Sequence, residues 1–145
     1  MTIGALSVVI FFLIVVAFAT YDWFWRSRSG QRMLPILKNE LSLIRRPSSD
    51  RVVDYYTSYK STHAGVGEAM SSSMIWEELR AFYLSEMQQS GWQPIKSGKV
   101  LDWKKDQGGR IERFRKGDYV VSIYYGGESN RQAWTYTVDV STGLY

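Results

Sequence analysis

The chain has no cysteine and a single histidine, His63, among its 145 residues. The first absence excludes disulfides, thiolate metal sites, a cysteine nucleophile and a thiol-linked lipid. The second excludes clusters of histidine ligands. A phosphate-binding loop is missing too. The stretch GWQPIKSGKV (91–100) ends in Gly98-Lys99, but six residues separate its glycines and Val100 stands where Ser or Thr is needed. Ser58 and Ser61 lie near His63 with no aspartate to complete a triad. Glu77 and Glu78 are neighbours on a predicted helix and point about 100° apart, so they form no facing acid–base pair. Asp102 and Asp106 read as solvated loop acids. The inventory predicts a protein that is not an enzyme and needs no cofactor or metal. Charge is also missing from one end: none occurs from Met1 to Tyr21.

What is present is aromatic and modestly basic. Six Trp, ten Tyr and six Phe accompany a net charge of +4. That composition suits a packed core with β-sheet content and argues against disorder. The length left after an N-terminal segment of 25 residues is enough for one compact domain.

The uncharged stretch IGALSVVIFFLIVVAFATY has the length and hydropathy expected of a single membrane span, since about 20 helical residues cross a hydrocarbon core. Tyr21, Trp23 and Trp25 fall where a headgroup belt would lie, followed by Arg26 and Arg28. A cleaved signal peptide is the competing reading, on the Ala17-Phe18-Ala19 pattern, but no basic region precedes the apolar run. Because the cations follow the span, the positive-inside rule favours a single-pass protein of a bacterial inner membrane with its C-terminal domain in the cytoplasm. The exported side is the alternative. The expected organisation is an anchor over 1–25, a basic linker and juxtamembrane helix over 26–47, and a domain over 48–145.

Periodicity predicts the domain's elements. Leu34, Leu37, Leu41 and Ile44 recur at helical spacing, with Pro35 suited to a first turn. This stripe either packs on the domain or lies on lipid or a partner. VVDYYTSYK (52–60) alternates as a strand, with Val53, Tyr55, Thr57 and Tyr59 on one face, and HAGVGEAMSSS (63–73) follows as a second. The clearest helix spans 73–92, capped by Ser73 and stopped by Gly91 and Pro94. Strands over 110–116 and 119–125 join through Gly117-Asp118, and 133–140 returns with Trp134, Tyr136, Val138 and Val140 on one face. A short strand over 99–106 is the remaining candidate. The predicted fold is α+β: one N-terminal transmembrane helix, then an antiparallel sheet of about four or five strands covered by one main helix.

One charge concentration stands out. Lys96, Lys99, Lys104, Lys105, Arg110, Arg113, Arg115 and Lys116 face only Asp102, Asp106 and Glu112 over residues 96–116. The readings weighed are a solvated rim, contact with an acidic protein or anionic lipid, and a nucleic-acid surface. The aromatics nearby fit core positions, so no nucleic acid and no small-molecule substrate is predicted. Candidate partner or lipid contacts are Arg32, Lys38, Lys104, Lys105, Arg113 and Arg115.

The fragments EELRAFYLSEMQQSGW (77–92), LDWKKDQGGRIERFRKGDYVVSIYYGG (101–127) and WTYTVDVSTGL (134–144) together resemble a bacterial family of small, membrane-anchored α+β domains without assigned activity. The resemblance implies no catalytic residue. Relatives in that family are often exported or carry a basic N-terminal region, from which this chain departs. The N-terminal stretch is similar to small single-span subunits of bacterial respiratory and photosynthetic complexes. The resulting expectation is a non-catalytic accessory subunit of a larger membrane complex, with integral membrane subunits and the bilayer as partners and electron transport as its setting. The alternative is a stand-alone anchored domain that binds a small ligand or cell-envelope component in a pocket lined by Trp76, Tyr83, Trp103 and Trp134.

Overall fold

A computed structural model describes residues 3–60, 63–102, 105–127 and 130–142, with the side chains of 3–12, 22–29 and 102 outside that description. The elements run α1 (Ile3–Leu43), β1 (Arg51–Tyr59), β2 (Ala64–Ser71), α2 (Trp76–Gln89), β3 (Gln93–Asp102), β4 (Lys105–Lys116), β5 (Tyr119–Tyr125) and β6 (Tyr136–Thr142). The six strands form one sheet in the order β1-β2-β6-β5-β4-β3. Every neighbouring pair is antiparallel.

The expected single-pass architecture is corrected by this arrangement. Among the described residues no helix is long and apolar enough to cross a membrane. The first twelve side chains of the expected anchor lie outside the described residues. The inner-membrane placement and the inward orientation rested on that span and fall with it. The linker expected at the start of 26–47 is helical, so α1 runs as one helix of 41 residues through Gly30 and Pro35. The sheet has six strands where four or five were expected, and two helices share its cover where one was expected.

Both helices lie on one face. The C-terminal part of α1 packs over β2 and β6, and α2 over β3 and β4. The helical stripe explains the first contact: Leu37, Leu41 and Ile44 are buried, with Leu34 against them. Leu79, Tyr83 and Met87 form the buried face of α2. They meet Phe114, Val121, Ile123, Tyr136, Val138 and Val140 from the sheet. The alternation read along the last strand is therefore present from Tyr136 onward. Trp134 departs from it: it precedes the strand, and its ring packs on Tyr124, whose neighbours Ile123 and Tyr125 belong to the helix-covered core.

Helix α2 begins later than the predicted Ser73. Ser72 accepts a bond from the Met74 N–H and donates to Asp50, which holds 72–74 in a turn. The Glu78 carboxylate accepts from the Ile75 N–H at the helix start instead. The C-terminal stop is as predicted. Gly91 adopts φ +79, and the Trp92 N–H reaches back to the Met87 carbonyl at 2.8 Å.

Two glutamates lie under the helices, each held by an arginine. Arg46, just after α1, donates from Nε to Glu68 Oε2 at 2.5 Å and caps α1 through the Ile44 and Leu41 carbonyls. Arg80 on α2 donates to Glu112 Oε2 at 2.9 Å. These pairs tie one helix to each half of the sheet.

Candidate functional site

The two edges of the sheet differ in chemistry. Edge strand β3 is exposed but blunted. Pro94 lacks a backbone donor, Lys96 and Lys99 add charge, and the register shifts twice, between Pro94 and Lys96 and between Lys99 and Leu101. These are devices that discourage further strand pairing.

Edge strand β1 has Arg51, Asp54 and one register shift, between Val52 and Asp54, at its start, but its stretch from Tyr55 to Tyr59 carries no charge, no proline and no shift. Its nine residues, RVVDYYTSY, contain no proline, and eight of the nine are exposed. Val53, Tyr55, Tyr56 and Tyr59 are exposed large apolar side chains, Tyr55 at 69%. Such a strand offers pairing groups and apolar area together.

The direction of the free backbone groups follows from the hairpin. Lys60 and His63 exchange both backbone bonds, at 2.7 and 3.4 Å. Antiparallel pairs alternate, so Ser58 with Gly65 and Tyr56 with Gly67 are the next bonded pairs. Tyr55, Thr57 and Tyr59 then point their N–H and C=O groups outward, where no strand lies beyond them among the described residues. The Tyr55 N–H is taken by the Asp54 carboxylate at 2.8 Å.

A groove runs beside these groups. Its volume is about 470 Å³, and Lys38, Leu41 and Ser42 of α1 form one wall, with Tyr55, Thr57 and Val66 opposite. Its depth is set where α1 meets the hairpin. A Cβ on Gly30 would collide with the Lys60 carbonyl, so only glycine lets α1 approach this closely. Gln31 donates to the Tyr59 hydroxyl at 3.3 Å.

The opposite face of the sheet carries a polar row. Lys96, Arg113, Ser122, Asp139, Gly67 and Tyr56 are register partners in turn across all six strands. The Tyr56 ring lies over Gly67 and its hydroxyl donates to Asp139 Oδ1 at 2.5 Å. Burial raises the Asp139 carboxyl above its ordinary range, while bonds from Tyr56 and Thr137 and the Arg113 charge pull it back down. Burial, then the Asp139 charge, pushes the Tyr56 hydroxyl up.

The sequence-predicted contacts scatter. Tyr21 is exposed on α1, and the side chains of Trp23, Trp25, Arg26 and Arg28 lie outside the described residues. Arg32 is exposed on α1 before the groove, and Lys38 lines it. Lys104 lies outside the described residues. Lys105 and Arg115 are exposed on β4, whereas Arg113 is half-buried facing Asp139. Half of the basic stretch, Lys99, Arg110, Arg113 and Lys116, is engaged within the fold. Lys99 and Arg110 both bind Asp106, at 2.8 and 3.0 Å. The Lys99 bond first, then the Gly108 N–H and Arg110, hold the Asp106 carboxyl well below the usual range. Lys116 sits 5.6 Å over the Trp92 ring.

The expected ligand pocket between helix and sheet is not assembled. Tyr83 is fully buried in the core, Trp76 packs on the Tyr125 ring at 5.8 Å, and Trp103 lies outside the described residues. Trp134 lines a cleft of about 620 Å³ away from the helices, with Tyr124, Gln107, Arg131 and Gln132. Among the described residues no group of three His, Asp or Glu side chains is placed to hold a metal. Of the groove residues, sequence reasoning named Lys38 as a partner contact. Tyr55, Thr57 and Tyr59 were legible as one strand face; that the strand is an edge was not. Comparison with protein-family models, with curated proteins and with solved structures finds no match to this chain.

Proposed function

We propose that this protein is a non-catalytic accessory subunit that assembles with other protein chains through the β1 edge and the groove between β1 and α1. The observation that carries the reading is the contrast between the two edges of one sheet: β3 is blunted by proline, lysine and register shifts, and β1 is aromatic, exposed and without proline. Strand addition is a common mode of protein recognition. Main-chain bonds supply affinity, and pockets beside alternate side chains supply selectivity. Here the outward groups of Thr57 and Tyr59 supply the first and the Lys38–Leu41 groove the second.

Thr57→Pro tests this reading. Its N–H points away from β2, so proline removes a docking donor without removing a bond inside the sheet. The intact chain isolated under mild conditions from its own host is expected to migrate with a second chain in fixed ratio, and the variant to lose it. Migration of the wild type as a free monomer with nothing stoichiometric sinks the reading. A ligand-binding domain is the alternative, supported only by the Trp134 cleft and weakened by the filled core at Tyr83.

A further inference from the structure

We infer that the chain seated on the β1 edge is a second copy of this protein, paired antiparallel about a two-fold axis at Thr57. The inference rests on the docking surface proposed above and names its occupant.

The hydrogen-bond phase limits the choices. Only residues whose backbone groups point outward can form bonded pairs across a new interface, and these are Tyr55, Thr57 and Tyr59. Self-pairing must then place odd-numbered residues opposite odd-numbered ones. A register centred on Tyr55 sets Asp54 against Tyr56, and sets Lys60 against Asp50, which precedes the strand and is already held by Ser49, Ser72 and Tyr136. Centring on Tyr56 sets Asp54 against Ser58 and Lys60 against Val52. Centring on Thr57 sets Asp54 against Lys60 of the other copy, twice by symmetry. It also brings Tyr55 opposite Tyr59 twice and Thr57 opposite itself. Opposite charges and aromatic pairs directly across strands are the favourable cross-strand neighbours. Among these registers, the one centred on Thr57 pairs both charges.

Asp54 also has a role in the single chain. Its carboxylate occupies the Tyr55 N–H at 2.8 Å, a donor the new strand needs. Lys60 of the second copy draws the carboxylate away and frees that donor. The Asp54 side chain is thus a plug on the edge in the monomer and an ion-pair partner in the dimer. About six backbone bonds form across the three bonded positions.

The experiment is sedimentation equilibrium on the full chain, with charge-swap variants at positions that are exposed in the single chain. The wild type is expected to dimerise reversibly. Lys60→Asp, and separately Asp54→Lys, each place like charges opposite one another and are expected to weaken the dimer about tenfold. The double swap Asp54→Lys with Lys60→Asp restores the pairs and is expected to recover the wild-type constant. A monomer at all concentrations overturns the inference, as does a dimer that ignores the swaps. If the chain is monomeric yet retains a different partner that Thr57→Pro removes, the docking edge stands and only its occupant is wrong. If a dimer persists unchanged in Thr57→Pro and in the charge swaps, both the inference and the docking edge fall. Circular dichroism of each variant establishes that it is folded.

Discussion

The Tyr136 hydroxyl donates to Asp50 Oδ2 at 2.7 Å while lying 3.2 Å from the Tyr83 hydroxyl. One phenol thus joins the loop before β1, the last strand and helix α2. Asp50 also accepts from Ser72 at 2.7 Å and Ser49 at 3.0 Å. Tyr136→Phe removes the central link and leaves Tyr83 short of a partner inside the core. We expect a loss of about 2 kcal/mol in urea unfolding. Tyr83→Phe keeps the bond to Asp50 and is expected to lose about 1 kcal/mol. Equal losses would contradict the central placement of Tyr136.

Two of the buried glutamates, Glu68 and Glu112, make unequal demands on their arginines. Glu68 and Glu112 are both buried, but the side chain of Arg46 is 22% exposed and that of Arg80 42%. Arg46 also caps two carbonyls at the end of α1. Arg46→Ala is expected to destabilise by about 3 kcal/mol and Arg80→Ala by about half of that, since water reaches the second pair. Replacing both partners, Arg46→Met with Glu68→Leu, is expected to recover most of the loss, because no charge is then left buried alone.

Asp139 gives the fold a distinct pH response. Its carboxyl titrates above its unfolded value, chiefly through burial. A group with a raised folded pKa binds its proton more tightly in the native state. Its contribution is therefore fully present below the unfolded value of about 4 and is lost as pH rises through the folded value. Asp139→Asn keeps an acceptor for Tyr56 and removes the titration. Thermal unfolding from pH 4 to 7 should decline less steeply with rising pH in the variant than in the wild type.

Gly30 and Gly67 both admit close neighbours, but of different kinds. A Cβ at Gly30 meets the backbone carbonyl of Lys60, which cannot move without displacing the hairpin. A Cβ at Gly67 meets the outer end of the Tyr56 ring, which can swing away. Gly30→Ala is expected to lift α1 from the hairpin and widen the groove, seen as faster amide exchange at Lys60 and His63. Gly67→Ala is expected to leave those amides unchanged and to release the Tyr56 hydroxyl from Asp139.

Where one face of an element meets the core, the pattern was readable. Leu37 and Leu41 on α1 with Ile44 just after it, Leu79, Tyr83 and Met87 on α2, and the Gly117-Asp118 turn of the β4–β5 hairpin all appear in the sequence as they appear in the fold, whereas Ile75, of the same helical stripe, is exposed before α2. Strand β3 was not readable. It pairs on one side only and exposes most of its length, so polar Gln93, Lys96, Ser97 and Lys99 satisfy it as well as apolar residues would. Strand β2 is only weakly patterned in the sequence, since AGVGEAMS lacks apolar–polar alternation. Small residues are buried on both faces there, with Tyr56 folded over Gly67 from the side away from the helices. The apolar start of α1 promised a span by composition, and the described residues do not carry one. The docking edge depended on strand order, which no local pattern encodes.

That strand order has a kinetic side. The strands β3, β4, β5 and β6 follow one another along the chain and pair with their immediate successors, as do β1 and β2. The junction of β2 with β6 alone joins strands from opposite ends of the domain. Closing it requires the largest loss of loop entropy, so it is expected to come after the local hairpins have formed. Until then α1 has only half of its seat, since it rests on both β2 and β6. A single late event therefore orders the helix, completes the core and leaves β1 as the outermost strand. Before that closure the four-stranded half carries β6 as a bare edge, so a full-length chain that is still refolding is most open to mispairing at Tyr136–Thr142.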